Sequence, residues 1–185
     1  MQFAPMSVSK TLDDSLQERL ADFQRALGHL CMTFAQLELV LGIAVAFLAG
    51  CRDPRTGLAL IAELSFKARL TLFSTLFSER LPANFDKNLL KEFLSKAHKI
   101  EGERNRLIHS WYWAGSVGEK RVTRIKATAK EKKGLDIELV DVHPDEVTAV
   151  AERASALVDR LDELCRLVDD FHSFAGPFYA LFRRD

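Results

Sequence analysis

The chain has little of what breaks a sequence into loops. Nine glycines and five prolines in 185 residues exclude a collagen-like or low-complexity protein. Cysteine is scarce as well: Cys31, Cys51 and Cys165 are odd in number and form no C-x-x-C pair. If Cys31 and Cys51 share one helix they lie about 30 Å apart at roughly 1.5 Å per residue, far beyond disulfide reach. Reduced, buried thiols in a cytoplasmic protein are therefore expected. There is no excess of either charge, with 26 basic and 26 acidic side chains. Any nucleic-acid role must rest on a local patch rather than on bulk basicity. The longest apolar run, residues 39–51, has 13 residues, short of the roughly 20 that span a bilayer. Residues 1–10 lack a basic region followed by an apolar one, so neither a signal peptide nor a membrane association is expected. The five histidines, at 29, 98, 109, 143 and 172, have no metal-ligand spacing. No metal or cofactor is expected.

What is present suits one globular domain over residues 1–185. Hydrophobic residues make up 48% and charged residues 28% of a 20.9 kDa chain, which excludes wholesale disorder. Apolar residues at helical spacing predict a long helix over residues 13–48, with Leu16, Leu20, Phe23, Leu27, Phe34, Leu41, Val45 and Leu48 inward. Residues 57–79 read as one helix or a helix pair, apolar on most sides. A third helix is expected over residues 86–109, with Leu90, Phe93, Ala97, Ile100 and Leu107 inward. The period then falls to about 2. Residues 111–114, 121–129 and 135–142 read as three short strands, with turns at 115–120 and 131–134. His143-Pro144-Asp145-Glu146 opens a last long helix, expected to run to about His172. The tail from Ser173 is aromatic, with Phe174, Phe178, Tyr179 and Phe182, and ends in Arg183 and Arg184. It is expected to pack on the bundle or on a partner. The expected fold class is mainly α: a bundle of four or five helices with a small antiparallel β-meander inserted at about 111–142, before the last long helix.

Charge is distributed unevenly within this plan. Residues 120–133 hold seven basic side chains and a single acid, Glu131. They form either a solvated hairpin tip or a patch for phosphates. On a helical wheel with His98 at 0°, Leu90, Phe93, Ala97, Ile100 and Ile108 fall between about 200° and 280°, and Arg104 falls near 240°. Glu38 interrupts the apolar stripe of the first helix in the same way. Charges on core-facing stripes are costly unless paired, so Glu38 and Arg104 suggest each other as partners. Arg69 competes for Glu38. Asn105 and His109, four apart, are neighbours on one face. Arg104 and His109 lie roughly 140° apart around an ideal helix. They meet only through the long arginine side chain, a distorted helix end or a second subunit.

Arg104-Asn105-Arg106-Leu107-Ile108-His109 reads R-N-x-x-x-H at the end of a long helix. It resembles the signature of the HEPN superfamily, an arginine, a polar residue and then a histidine a few positions on. The resemblance covers these six residues sharply and the helical layout loosely. It implies a helical, often dimeric protein. Many members are metal-independent ribonucleases with a site composed across the dimer. Others are non-catalytic modules, some serving in defence or toxin–antitoxin systems. It also implies that Arg104 and His109 form the catalytic pair and that Asn105 orients them. The meander after the motif departs from the simplest such bundle.

The chemistry is consistent with those residue types. Metal-free RNA cleavage requires a group that moves a proton at the 2′-hydroxyl or the leaving 5′-oxygen, and histidine side chains titrate near neutrality. It also requires a cation for the phosphate, and arginine binds phosphate oxygens bidentately. Trp111, Tyr112 and Trp113 follow the motif at once. They either stack on a base or pack cross-strand against the bundle.

Overall fold

The computed structural model describes residues 8–81, 85–114, 122–130, 134–168 and 171–180. The elements run α1 (Val8–Leu48), α2 (Pro54–Ala62), α3 (Phe66–Arg80), α4 (Lys87–Ile108), β1 (Trp111–Ala114), β2 (Val122–Lys130), β3 (Gly134–Val142), α5 (Pro144–Cys165) and α6 (Phe171–Ala180). The fold is mainly α with a small antiparallel meander between α4 and α5, as the periodicity indicates. Six helices are present among the described residues, because residues 57–79 form a pair and the last long helix divides. Contacts group the chain into two compact units, Met1–Cys31 with Glu103–Ala151 and Met32–Gly102 with Glu152–Asp185.

In the second unit, α1 is buried almost all round. Leu37, Val40, Leu41, Ile43, Ala44, Val45, Ala46 and Leu48 are all core residues. From Leu20 to Leu48, α1 is long and apolar enough to cross a membrane by length and composition, which a count of unbroken apolar residues misses. Most of its most apolar window, 61%, is buried inside the protein, the environment of a core helix. The helix closes in a Schellman arrangement. Gly50 adopts φ +81°, with Gly50 N–H donating to Phe47 O and Cys51 N–H to Ala46 O. Arg80 donates to the terminal Leu48 carbonyl at 2.8 Å, and its guanidinium lies 5.9 Å from the Phe47 ring centroid.

The break between α2 and α3 has local causes. Asp53 caps α2 by accepting from the Thr56 N–H and hydroxyl, and these bonds hold its carboxyl below the usual carboxylate range. Ser65 caps α3 by accepting from Ala68 N–H at 3.2 Å. Arg69 ties the pair to α1. It donates to the Glu38 carbonyl and to the Ile61 carbonyl, each at 2.9 Å. Its target is therefore the Glu38 backbone, with the Glu38 side chain half-buried. The residue four further on is Gly42, whose missing side chain leaves that carbonyl accessible. Gly42 also lets α2 approach, since a Cβ built there falls 2.5 Å from Ile61 Cδ1.

Aromatic contacts fill the rest of this core. Phe73 stacks on Phe77 at 5.0 Å and meets Phe93 edge-on at 5.8 Å, and Phe34 meets Phe66 at 4.8 Å. α5 ends at Cys165 rather than near His172. Its last turn tightens, with Leu167 N–H on Leu164 O and Val168 N–H on Cys165 O. His172 consequently lies in α6, which attaches through Phe171 and Phe174 to Phe47 at 5.4 and 5.3 Å. The aromatic tail thus does pack on the chain at Phe174. The side chains of Phe178 and Tyr179, and residues 181–185, lie outside the described set. The cysteines are all free but not uniformly buried. Cys31 is exposed, Cys51 intermediate and Cys165 buried, and burial pushes the Cys165 thiol up to about 12.

In the first unit, Phe23, Ala26 and Leu30 of α1 join Val122 and Val142 of the sheet and Val147, Val150 and Ala151 of α5 in the core. The sheet order is β1-β2-β3, antiparallel throughout. β1 pairs Trp111 with Ile125 and Trp113 with Thr123. β2 pairs Ile125 with Leu139 and Ala127 with Ile137.

The Gly42–Ile61 approach is checkable by a double-mutant cycle. Alanine gains up to about 1 kcal/mol of helix propensity over glycine, and Ile61→Val removes the methyl that the new Cβ meets. Gly42→Ala is expected to be about 1 kcal/mol more favourable in the Ile61→Val background than in the wild type, by chemical denaturation. Equal effects in both backgrounds would refute the close approach.

Candidate functional site

The motif sits where α4 ends, and the way it ends fixes what is presented. The last carbonyls of a helix need donors from outside its ladder. Here the Asn105 carbonyl takes His109 N–H at 3.2 Å and the Arg106 carbonyl takes the Ser110 hydroxyl at 2.6 Å. The Leu107 carbonyl takes the Tyr112 hydroxyl. Tyr112 therefore points inward, where its ring meets Phe23 at 4.7 Å. Burial raises its phenol above the ordinary value, partly opposed by the charge of Arg124.

Arg124 is the buried cation that the sequence reading counted only as one of a basic tract. It is 4% exposed. Its Nη2 meets Glu138 Oε2 at 2.9 Å, and its Nη1 donates to Ser110 Oγ at 3.4 Å. A cation beside the C-terminal end of α4 opposes the negative pole of the helix dipole. The signal that could have separated it from its neighbours is parity, since Arg124 is two residues from the inward Val122. Lys126 is half-buried, while Lys120, Arg121, Lys132 and Lys133 lie outside the described residues.

The three motif residues are placed differently. Arg104 and Asn105 are half-buried and joined, Arg104 Nη1 donating to Asn105 Oδ1 at 2.9 Å. His109 is exposed. Its main chain reaches Asn105, but among the described residues no hydrogen bond joins its imidazole to Arg104 or Asn105. It lines a shallow cleft of about 380 Å³ with Ile108, Ser110, Trp111, Ile125, Lys126 and Ala127. The cross-strand packing expected for the aromatic triplet holds for Tyr112 alone. Trp111 and Trp113 face outward and are largely exposed. Among the described residues no cluster of histidine, cysteine, aspartate or glutamate has the geometry to hold a metal ion.

No family model, curated protein or solved structure matches this chain.

The Tyr112 bond has a measurable signature. Its folded value is raised, so the unfolded chain loses the proton first. Its contribution to stability is constant below about pH 10 and declines as pH rises from there through the folded value. Tyr112→Phe is expected to lower stability by about 1 kcal/mol near neutrality. It should also flatten part of the alkaline decline in urea-denaturation stability above about pH 10, with no difference in slope below it. An identical alkaline decline in both proteins would show that Tyr112 is not the group responsible.

Proposed function

We propose that this chain is a HEPN-like, metal-independent endoribonuclease whose site is composed from the α4 ends of two copies. The observation that carries the reading is the exposure of His109 in its cleft, flanked by Lys126 and Trp111, while Arg104 is tied to Asn105 away from the imidazole. One α4 end thus offers a proton-transfer group and a phosphate-binding group that do not converge. A second copy supplies the missing half of each pair. In the reaction, the 2′-oxygen bonds to phosphorus as the bond from phosphorus to the 5′-oxygen breaks; His109 removes the 2′-hydroxyl proton or protonates the leaving 5′-oxygen, and water makes the other transfer. Arg104 neutralises the crowded phosphate through its fork of donors, with Asn105 fixing the guanidinium plane. The products are a 2′,3′-cyclic phosphate and a 5′-hydroxyl. Three free cysteines suit a reducing compartment, and we place the activity in the cytoplasm.

A second reading is a non-catalytic binding module of the defence or toxin–antitoxin kind. The half-burial of Arg104 and its bond to a neutral amide favour it.

Incubation of the purified protein with assorted RNAs in EDTA separates the two. His109→Ala is expected to lower cleavage by about 10²–10⁴-fold. Its melting temperature should hardly change, because the imbidazole side chain is exposed. Arg104→Ala should also abolish cleavage but is the less clean variant, since a half-buried side chain is lost. Cleavage that survives His109→Ala, or that EDTA stops, would refute the mechanism. No cleavage of any RNA by the folded wild type would leave the binding-module reading.

A further inference from the structure

The outer face of the sheet is apolar on all three strands. Register places Trp111 and Trp113 of β1, Ile125 and Ala127 of β2, and Leu135, Ile137 and Leu139 of β3 on one side. The five largest exposed members, Trp111, Trp113, Leu135, Ile137 and Leu139, are between 56% and 69% exposed. We propose that this face is the seat of a second copy of the chain, packed sheet against sheet about a two-fold axis. The proposal shares the dimeric part of the functional reading but does not depend on RNA being cleaved.

Three arguments select this occupant. The first is area. The two tryptophans offer roughly 300 Å² and the three aliphatic side chains roughly 250 Å² more. That reaches the upper end of the roughly 300–600 Å² seen for the largest patch on an ordinary monomer. With Ile125, Ala127 and the rim it approaches the roughly 800 Å² a side that a stable complex buries. The second is charge. Arg124 and Lys126 of β2 occupy the alternate positions of the strand. The outward row of β2 carries no cation for a phosphate backbone, and Asp141 at its rim is bonded to Thr123 at 2.8 Å. Among the described residues this face carries no cation, so it suits another apolar face of the same kind, and a two-fold axis makes it self-complementary. The third is continuity. Trp111, Ile125 and Ala127 belong both to this face and to the His109 cleft. A copy seated on the sheet therefore borders His109.

The experiment uses the full chain. The wild type at tens of micromolar is expected to sediment with twice the mass of one chain. Ile137→Lys with Leu139→Lys should halve that mass while far-ultraviolet circular dichroism and melting temperature hold, because both side chains point outward on β3. Leu60→Lys on α2, a site as exposed as Ile137, should leave the dimer intact. The chain has two tryptophans and both are on this face, so tryptophan emission reports on it alone. Emission should shift to the red on dilution and in the double lysine variant. A single-chain mass for the wild type would overturn the proposal, as would a dimer that the lysine pair leaves intact. A blue shift induced by single-stranded RNA in a protein of single-chain mass would assign the face to nucleic acid instead. A dimer that the lysine pair disrupts but that cleaves no RNA would support this interface while counting against the proposed catalysis.

Discussion

The hydroxyl of Tyr112 on the carbonyl of Leu107 sets the orientation of the strand that follows α4. The end of that helix must find donors for its last carbonyls, and the chain supplies them from the residues immediately beyond it. Once Tyr112 is committed inward, the two-residue period of a strand leaves no freedom for its neighbours. Trp111 and Trp113 go out, Arg124 comes in beside Tyr112, and Ile125, Leu139 and their row are turned to the surface. The position of His109 follows from the same geometry. It is the first residue past the helix, bonded by its main chain and not its ring, and so its imidazole is left to the cleft.

Much of the fold was legible because it depends on local periods. α4 begins and ends within a residue of where apolar spacing places it, α1 ends at Leu48 as expected but begins five residues earlier, at Val8 rather than Asp13, and the strand boundaries agree within a residue. α5 is shorter than its apolar stripe, which continues past Cys165 to Val168, so spacing alone gives no stop. The count of helices was low for the same kind of reason. Asp53 and Ser65 are good caps, but in a segment apolar on most sides a cap is hard to distinguish from an exposed polar residue. The candidate site was legible as composition and less so as geometry. The wheel indicates that Arg104 and His109 diverge. It does not reveal that Arg104 engages Asn105, which depends on side-chain rotamers within α4, or that Arg124 is buried, which depends on pairing between strands. The outward turn of the tryptophans was equally hidden, since an aromatic triplet carries no mark of which parity will be anchored.

Gly42 illustrates how a single small residue can serve two partners. Its absent side chain admits Ile61 and leaves the Glu38 carbonyl accessible to Arg69. Arg69 in turn holds the Ile61 carbonyl close to the end of α2. The packing between α1 and the α2–α3 pair is thus specified by backbone approach and carbonyl bonds rather than by a charge pair. Arg69 accordingly engages the main chain of Glu38.

β3 also bears on how the protein stays dispersed in a crowded cell. It is a nine-residue strand at one edge of the described sheet, the kind of segment that templates fibrils when apolar and unguarded. Its leucines and isoleucine alternate with Asp136 and Glu138, and Asp141 follows near its end. In-register stacking of many copies would bring each acid onto its own image, a ladder of like charge at the spacing of adjacent strands. Closure across the apolar face in the proposed dimer keeps Asp136 and Glu138 on the opposite side, with Asp141 at the rim bonded to Thr123. In the proposed dimer the same strand therefore favours a finite assembly over an open-ended one.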